Sequence, residues 1–258
     1  MEPSLLIGFV AIVSILAWKF SLLSLSGAGA ALVCGVFVGM GFGYRGLSLL
    51  GLFFISSSLL SNYKKKRKGY LTEFHEKGSK RDWLQVAANG GVAAALGLAY
   101  FWWESPWMLV AFCISLASSN SDTWASELGT LSKHHPFSVR SFKRVEPGTS
   151  GAVSGTGSAA GFLGAGTIAL AAYFLFGLNS REVFLILGFG FLGMMMDTIL
   201  GAFIQAGYKC RVCGREVEKR HHCGEACHLT KGKGWLQNDG VNFISCLLAV
   251  ILGIISYV

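Results

Sequence analysis

The chain has 258 residues, 52% of them apolar and only 14% charged, with a formal net charge of +8. A soluble globular domain carries about 25% charged residues, so much of the usual polar surface is missing. Disordered chains, which are polar and charge-rich, are excluded, and seven cysteines in this length are too dilute for a secreted disulfide scaffold. The 34 glycines follow no Gly-X-Y period. Apolar, glycine-rich and charge-poor together point to an all-α polytopic membrane protein.

A bilayer crossing takes about 20 mostly apolar residues. Eight such stretches are read in chain order, at about 4–24, 26–43, 46–62, 83–102, 106–121, 151–176, 183–207 and 239–257. They form one membrane domain over 1–258, with a loop at 208–236 inserted between the last two spans. The first stretch is read as a retained span. Ala28-Gly-Ala30 resembles a signal-cleavage site, but Glu2 stands where a signal peptide carries Lys or Arg.

The cations sort by loop. The 63–82 loop holds Lys64, Lys65, Lys66, Arg67, Lys68, Lys77, Lys80 and Arg81. The 122–150 segment holds Lys133, Arg140, Lys143 and Arg144, and the 208–238 segment holds seven more. These are 19 of the 22 cations, all on one side of an eight-span chain. The positive-inside bias makes that side cytoplasmic in a cytoplasmic or inner membrane, with both termini outside.

Two strings invite other readings. The Lys64–Lys68 run looks like a nucleic-acid signal, but directly after a span it is an ordinary topogenic run that attracts anionic lipid; no nucleic-acid partner is expected. Gly188-Phe-Gly-Phe-Leu-Gly193 matches a dinucleotide fingerprint as a string only. It lies inside a span, where glycines let helices pack, as do Gly151/Gly155 and Gly157/Gly161.

Carboxylates at membrane depth are costly and usually functional. Asp122 and Glu127 close the fifth span together with Asn120 and Ser126. Asp122 and Ser126 share a helix face, as do Thr123 and Glu127. Such an oxygen-rich pocket suits Mg²⁺ bound to phosphates; helix capping is the competing reading. Next come Lys133, His134, His135, Lys143 and Arg144, then Thr149-Ser150-Gly151, which is expected to start the sixth helix. Cations and a helix start suit phosphate binding; topogenic charge with plain capping competes. Asp197 lies deeper, in the seventh span. Asp239, flanked by Asn238 and Asn242, opens the last span, where it can meet the Asp122 cluster or act as an N-cap; buried Asn89 can join them.

Cys210, Cys213, His221, His222, Cys223, Cys227 and His228 fall within the 208–236 loop. Thiolates and imidazoles at this density suit a closed, structural, tetrahedral Zn²⁺ site, and cytoplasmic thiols stay reduced. The expected ligands are Cys210, Cys213 and Cys223, with Cys227 or His222 as the fourth.

Ser119-Asn-Ser-Asp-Thr-Trp-Ala-Ser-Glu-Leu-Gly129, Pro147-Gly-Thr-Ser-Gly-Ala-Val153, Asp197 with Gly201 and Gln205, and Asn238-Asp-Gly-Val-Asn242 resemble the phytyl-phosphate kinase family, which includes the transmembrane protein 19-like proteins. The resemblance runs over roughly residues 80–258. Asp122 to Gly129 is also similar to the nucleotide-binding stretch of CTP-dependent polyprenol kinases and phosphatidate cytidylyltransferases. The resemblance implies phosphoryl transfer from CTP, or another nucleoside triphosphate, to an isoprenyl monophosphate such as phytyl or geranylgeranyl phosphate. In that reading Asp122 and Glu127 hold Mg²⁺, and Lys143, Arg144 and Thr149-Ser150-Gly151 bind phosphate. Asp197 and Asp239 hold a second metal or position the acceptor. The alternatives are a lipid cytidylyltransferase and an ion-coupled transporter. Nothing in the sequence sets an oligomeric state.

Overall fold

The computed structural model describes residues 2–63 and 80–257, so the Lys64–Lys68 run and Lys77 lie outside the described residues. Within them are seven helices: α1 (Pro3–Lys19), α2 (Leu25–Asn62), α3 (Trp83–Trp103), α4 (Pro106–Gly129), α5 (Gly155–Phe176), α6 (Ser180–Phe203) and α7 (Asn238–Tyr257). Local chemistry sets their starts. Pro3 and Pro106 occupy first-turn positions of α1 and α4. Ser24 and Ser154 cap α2 and α5, and Asp82/Gln85 and Asn179/Glu182 form capping boxes on α3 and α6.

Five helices, α2, α3, α5, α6 and α7, are long and apolar enough to cross a membrane. The helix count is seven where eight spans were expected, because the second and third spans form one element. That element is sharply bent at Gly43 (φ 59°, ψ −152°), a backbone conformation essentially confined to glycine. A Cβ on Gly46 would lie 3.1 Å from Val38 Cγ1 and 3.4 Å from Val38 O. Residues eight apart in a straight helix are about 12 Å apart, so the chain doubles back at Gly43 into a helical hairpin.

The fifth span also differs from its expectation. α4 does not stop near residue 121 but runs to Gly129, 24 residues in all. It is the central helix, packed by α2, α3, α5, α6 and α7, and buried continuously from Val110 to Ser121. A helix surrounded by protein rather than lipid can carry polar side chains, because neighbouring helices satisfy them. Asn120 Nδ2 donates to Gly164 O at 2.8 Å, Ser121 Oγ to Gly161 O at 2.8 Å, and Ser119 Oγ to Asn89 O at 2.9 Å. Small residues permit these approaches: a Cβ on Gly164 would lie 3.1 Å from Asn120 O, and one on Gly190 only 2.5 Å from the Ala117 Cβ. The glycines of 188–193 thus contain packing positions inside α6, as expected. Gly155, by contrast, has nothing within 4 Å of its Cβ direction.

The connections divide between two ends. One end has the Gly43 reversal, the short α3–α4 turn and the left-handed Gly177 cap (φ 67°), and there Arg181 donates to the Ser256 and Tyr257 carbonyls. The other end carries the longer loops. In one, β1 (Phe137–Ser138) pairs antiparallel with β2 (Ala152–Val153). In the other, β3 (Gly207–Lys209), β4 (Glu216–Val217) and β7 (His228–Lys231) form a sheet of order β4-β3-β7, beside a hairpin of β5 (His221–His222) and β6 (Glu225–Ala226).

Candidate functional site

A cavity of about 490 Å³ opens at the long-loop end. Its walls come from the last turns of α2, α4 and α6, the first turns of α3, α5 and α7, and the 148–154 segment. Helices that end on polar caps at one level create a basin of side chains and backbone termini there. Asp122, Ser126, Glu127, Thr149, Ser150, Gly151, Asp197, Asn238, Asp239 and Asn242 all line it, so four well-separated sequence segments meet there.

Asp122 on α4 and Asp197 on α6 face the cavity closely enough for their charges to interact. Asp197 is held from α7. Ser245 Oγ lies 3.2 Å from its Oδ1, and Asn242, with its amide nitrogen turned inward, donates to Asp197 Oδ1 and Asn238 O, both at 3.0 Å. Asp239 lies in the first turn of α7, whose first residue is Asn238, and so is not its N-cap.

The pair expected to share a magnesium ion, Asp122 and Glu127, diverges. Five residues apart, they point about 140° apart around α4. Glu127 instead accepts a 2.6 Å hydrogen bond from Ser61 of α2 and lies in the field of Arg81. Arg81 is anchored by its backbone, donating to Leu22 O and accepting from Ser24 N, and its guanidinium lies 5.8 Å over the Phe54 ring.

Several expected phosphate binders stand elsewhere. Asn120 is fully buried, outside the cavity lining, with Ser56 Oγ and Gly164 O as partners at 3.0 and 2.8 Å. It fastens α2, α4 and α5 together. Lys133, Lys143 and Arg144 are exposed on the 130–154 loop and do not line the cavity; Arg144 donates to His135 O at 2.7 Å. The apolar run from Gly151 suggests a helix start that does not occur there, because Ala152 and Val153 pair with β1. Ser154 is the actual cap, accepting from Gly157 N at 3.0 Å.

Thr149-Ser150-Gly151 is therefore a turn, and it packs on the end of α6. Gly151 has φ +79°, and a Cβ there would lie 2.3 Å from Ala202 Cα. Ser150 Oγ lies 2.9 Å from Gln205 Oε1, and Gln205, buried beyond the end of α6, donates to Glu218 Oε1 at 2.9 Å. Lys231 Nζ donates to Gly201 O at 2.9 Å. Arg81, Gln85 and Glu218, all lining the cavity, were not singled out as site residues from sequence. Only long-range packing brings them there.

In the 204–237 loop, Cys210, Cys213, His222 and Cys223 place their donor atoms within 4.8 Å of one another. Cys213 Sγ and Cys223 Sγ lie 3.5 and 3.2 Å from His222 Nδ1. Backbone hydrogen bonding at Cys213, with the His222 ring, holds the Cys210 thiol down to about 6. Cys227 falls outside this set and packs against the small Ala206–Tyr208–Val217 cluster.

The chain belongs to the integral membrane protein family DUF92, matching it over residues 8–250. It is similar to Protein PGR of Arabidopsis thaliana, 32% identical over 97% of this chain and 96% of that protein. An uncharacterized membrane protein of Methanocaldococcus jannaschii is 32% identical over 83% of this chain and 77% of its own length. Protein VTE6, chloroplastic, of Arabidopsis thaliana is 26% identical over 90% of this chain and 65% of its own length. No solved structure matches.

Proposed function

We propose that this DUF92 protein is a membrane kinase that moves the γ-phosphoryl group of CTP, or another nucleoside triphosphate, onto an isoprenyl monophosphate. The observation that carries this reading is a carboxylate-lined polar cavity and an apolar groove that share Arg81, Gln85 and Asn89. The groove, about 690 Å³, runs between α1, both arms of α2 and the start of α3, lined by Phe9, Val13, Leu47, Phe54 and their neighbours. A lipid phosphate is one molecule with these two chemistries joined end to end. The tail belongs in the groove and the head beside Arg81. The motif resemblance to phytyl-phosphate kinases supports the same substrate class.

An acceptor phosphate is already ionised, so the reaction needs in-line positioning and charge neutralisation rather than a strong base. An acceptor phosphate oxygen bonds to the γ-phosphorus, the bond to the β-bridging oxygen breaks, and the nucleoside diphosphate leaves. Arg81 offsets the acceptor charge. The Thr149–Gly151 turn and the first turn of α7 hold the donor phosphates. Asp122, Asp197, Asp239 and Asn242 present only oxygen and amide donors, a set that fits Mg²⁺. Bound there, the ion would neutralise charge on the phosphates. Lys133, Lys143 and Arg144 draw anions toward the cavity mouth through their field. By the positive-inside bias this end faces the cytoplasm.

The test is an assay of purified protein with γ-labelled CTP and phytyl or geranylgeranyl monophosphate. Label is expected in the lipid phase. Label confined to the aqueous phase, with the protein shown to be folded, would overturn the reading. Transfer of α-label instead would make the protein a cytidylyltransferase.

A further inference from the structure

The 204–237 loop has very little to fold around. Its apolar cluster is Ala206, Tyr208 and Val217 with Cys227 packed against them, yet it holds five short strands in fixed register. So few buried apolar groups do not offset the ordering of about thirty residues, and small units of this kind rely on a staple. Among the described residues the cysteines are free, so the staple is not a disulfide.

The donor set supplies another. A tetrahedron with Zn–S arms of about 2.3 Å has edges near about 3.8 Å, which fits four donor atoms within 4.8 Å of one another. Gly214 (φ 70°) and Gly224 (φ 80°) turn the backbone just after Cys213 and Cys223, and Cys223 itself is left-handed at φ 53°. A non-glycine residue holds that conformation only where its surroundings impose it. Three thiolates and an imidazole select zinc over the hard cations.

The segment closed between Cys213 and His222 contains β4 and Glu218. Glu218 is the acceptor for Gln205, and Gln205 is the partner of Ser150 in the cavity wall. We infer that Cys210, Cys213, His222 and Cys223 bind one Zn²⁺, which fixes Glu218 against Gln205 and thereby braces the Ser150 turn of the polar cavity. The site is closed, with four protein ligands, so its role is structural.

Metal content tests the site independently of any phosphoryl transfer, so the kinase reading can fail while this one stands. Full-length protein purified in detergent without chelator is expected to carry about one zinc per chain. Cys213→Ser and Cys223→Ser should each lower that at least about tenfold, while Cys246→Ser in α7 leaves it unchanged. Cobalt replacement of zinc in the wild type should give thiolate-to-metal charge-transfer bands of three sulfurs. Zinc-free wild-type protein that is folded and monodisperse would overturn the site. Loss of zinc in Cys227→Ser but not in His222→Ala would overturn the ligand set. Stripping zinc from the wild type should raise amide hydrogen exchange over residues 148–151, and unchanged protection there would overturn the brace.

Discussion

Ser61 donates a 2.6 Å hydrogen bond to Glu127, tying the last turn of α2 to the last turn of α4 at the cavity rim. With Arg81 beside it, Glu127 joins the wall on the apolar-groove side to the wall that carries Asp122. Ser61→Ala should cost about 1 kcal/mol in stability and lower transfer modestly. Glu127→Gln keeps an oxygen to accept from Ser61 but removes the charge facing Arg81. It should therefore affect activity more than thermal unfolding, and comparing the two variants by both measurements checks the separation.

Asp122 and Asp197 are like charges facing one cavity. Asp122→Asn and Asp197→Asn should each reduce transfer by on the order of 10²-fold or more, the scale of losing one preorganised electrostatic group. The same changes relieve repulsion, so the melting temperature should hold or rise. A fall in activity accompanied by an equal loss of folded protein would contradict this assignment.

Asn120 predicts the opposite. Its amide donates to Gly164 O and accepts from Ser56, away from the cavity. Asn120→Ala leaves buried partners unsatisfied and should cost about 1–3 kcal/mol, with activity per folded molecule retained at saturating nucleotide. Thermal unfolding and a KM for CTP distinguish these outcomes.

Gly151 and Gly155 make a matched pair. Gly151→Ala meets both a left-handed backbone and the Ala202 backbone, so expression and stability should fall by more than about 1 kcal/mol. Gly155→Ala meets nothing within 4 Å and should be neutral or slightly stabilising. Melting curves of the two variants suffice.

The groove assignment turns on Gly51, which lines it and has open space in its Cβ direction. Gly51→Phe, whose Cβ meets nothing within 4 Å, should fill the groove and raise KM for geranylgeranyl phosphate about tenfold or more, the scale of losing a few buried methylenes. KM for the nucleotide should stay constant. Equal changes in both constants would place the tail elsewhere.

How much of this is legible in the sequence follows from which interactions are local. Hydropathy finds each helix among the described residues and places most helix ends to within a few residues, because length and apolarity are properties of a single segment. It misplaces the end of α4, since Ser118 to Glu127 read as a polar exit from lipid. Only the surrounding helices reveal that Ser118 to Ser121 are buried in protein and that Asp122, Ser126 and Glu127 line a cavity. It also misplaces the start of α5, because the pairing of Ala152–Val153 with Phe137–Ser138 leaves no trace in a run of small residues. The carboxylates of the cavity are legible as anomalies, being costly where they stand. Lys133, Lys143 and Arg144 carry a phosphate-binding pattern, yet nothing local says which way a loop turns its charge. Arg81 and Glu218 enter the cavity by long-range contacts alone. His222 completes the tetrad through the fold of the β5–β6 hairpin, a choice that spacing leaves open between it and Cys227.

The Gly43 reversal sets one flank of the groove, and α1 is the other. α1 meets the first arm of α2 through close contacts at glycines, where Val10 abuts Gly35 and Leu6 abuts Gly39. Much of its remaining surface is exposed apolar side chain, including Leu5, Phe9 and Ile12. In the kinase reading proposed above, a lipid phosphate dissolved in the bilayer would thus reach the carboxylates sideways, its tail moving from hydrocarbon into protein without passing through water. In that reading the nucleotide would approach the same carboxylates from the aqueous side. Two reactants of opposite solubility would then meet in one basin, with neither having to leave its own solvent.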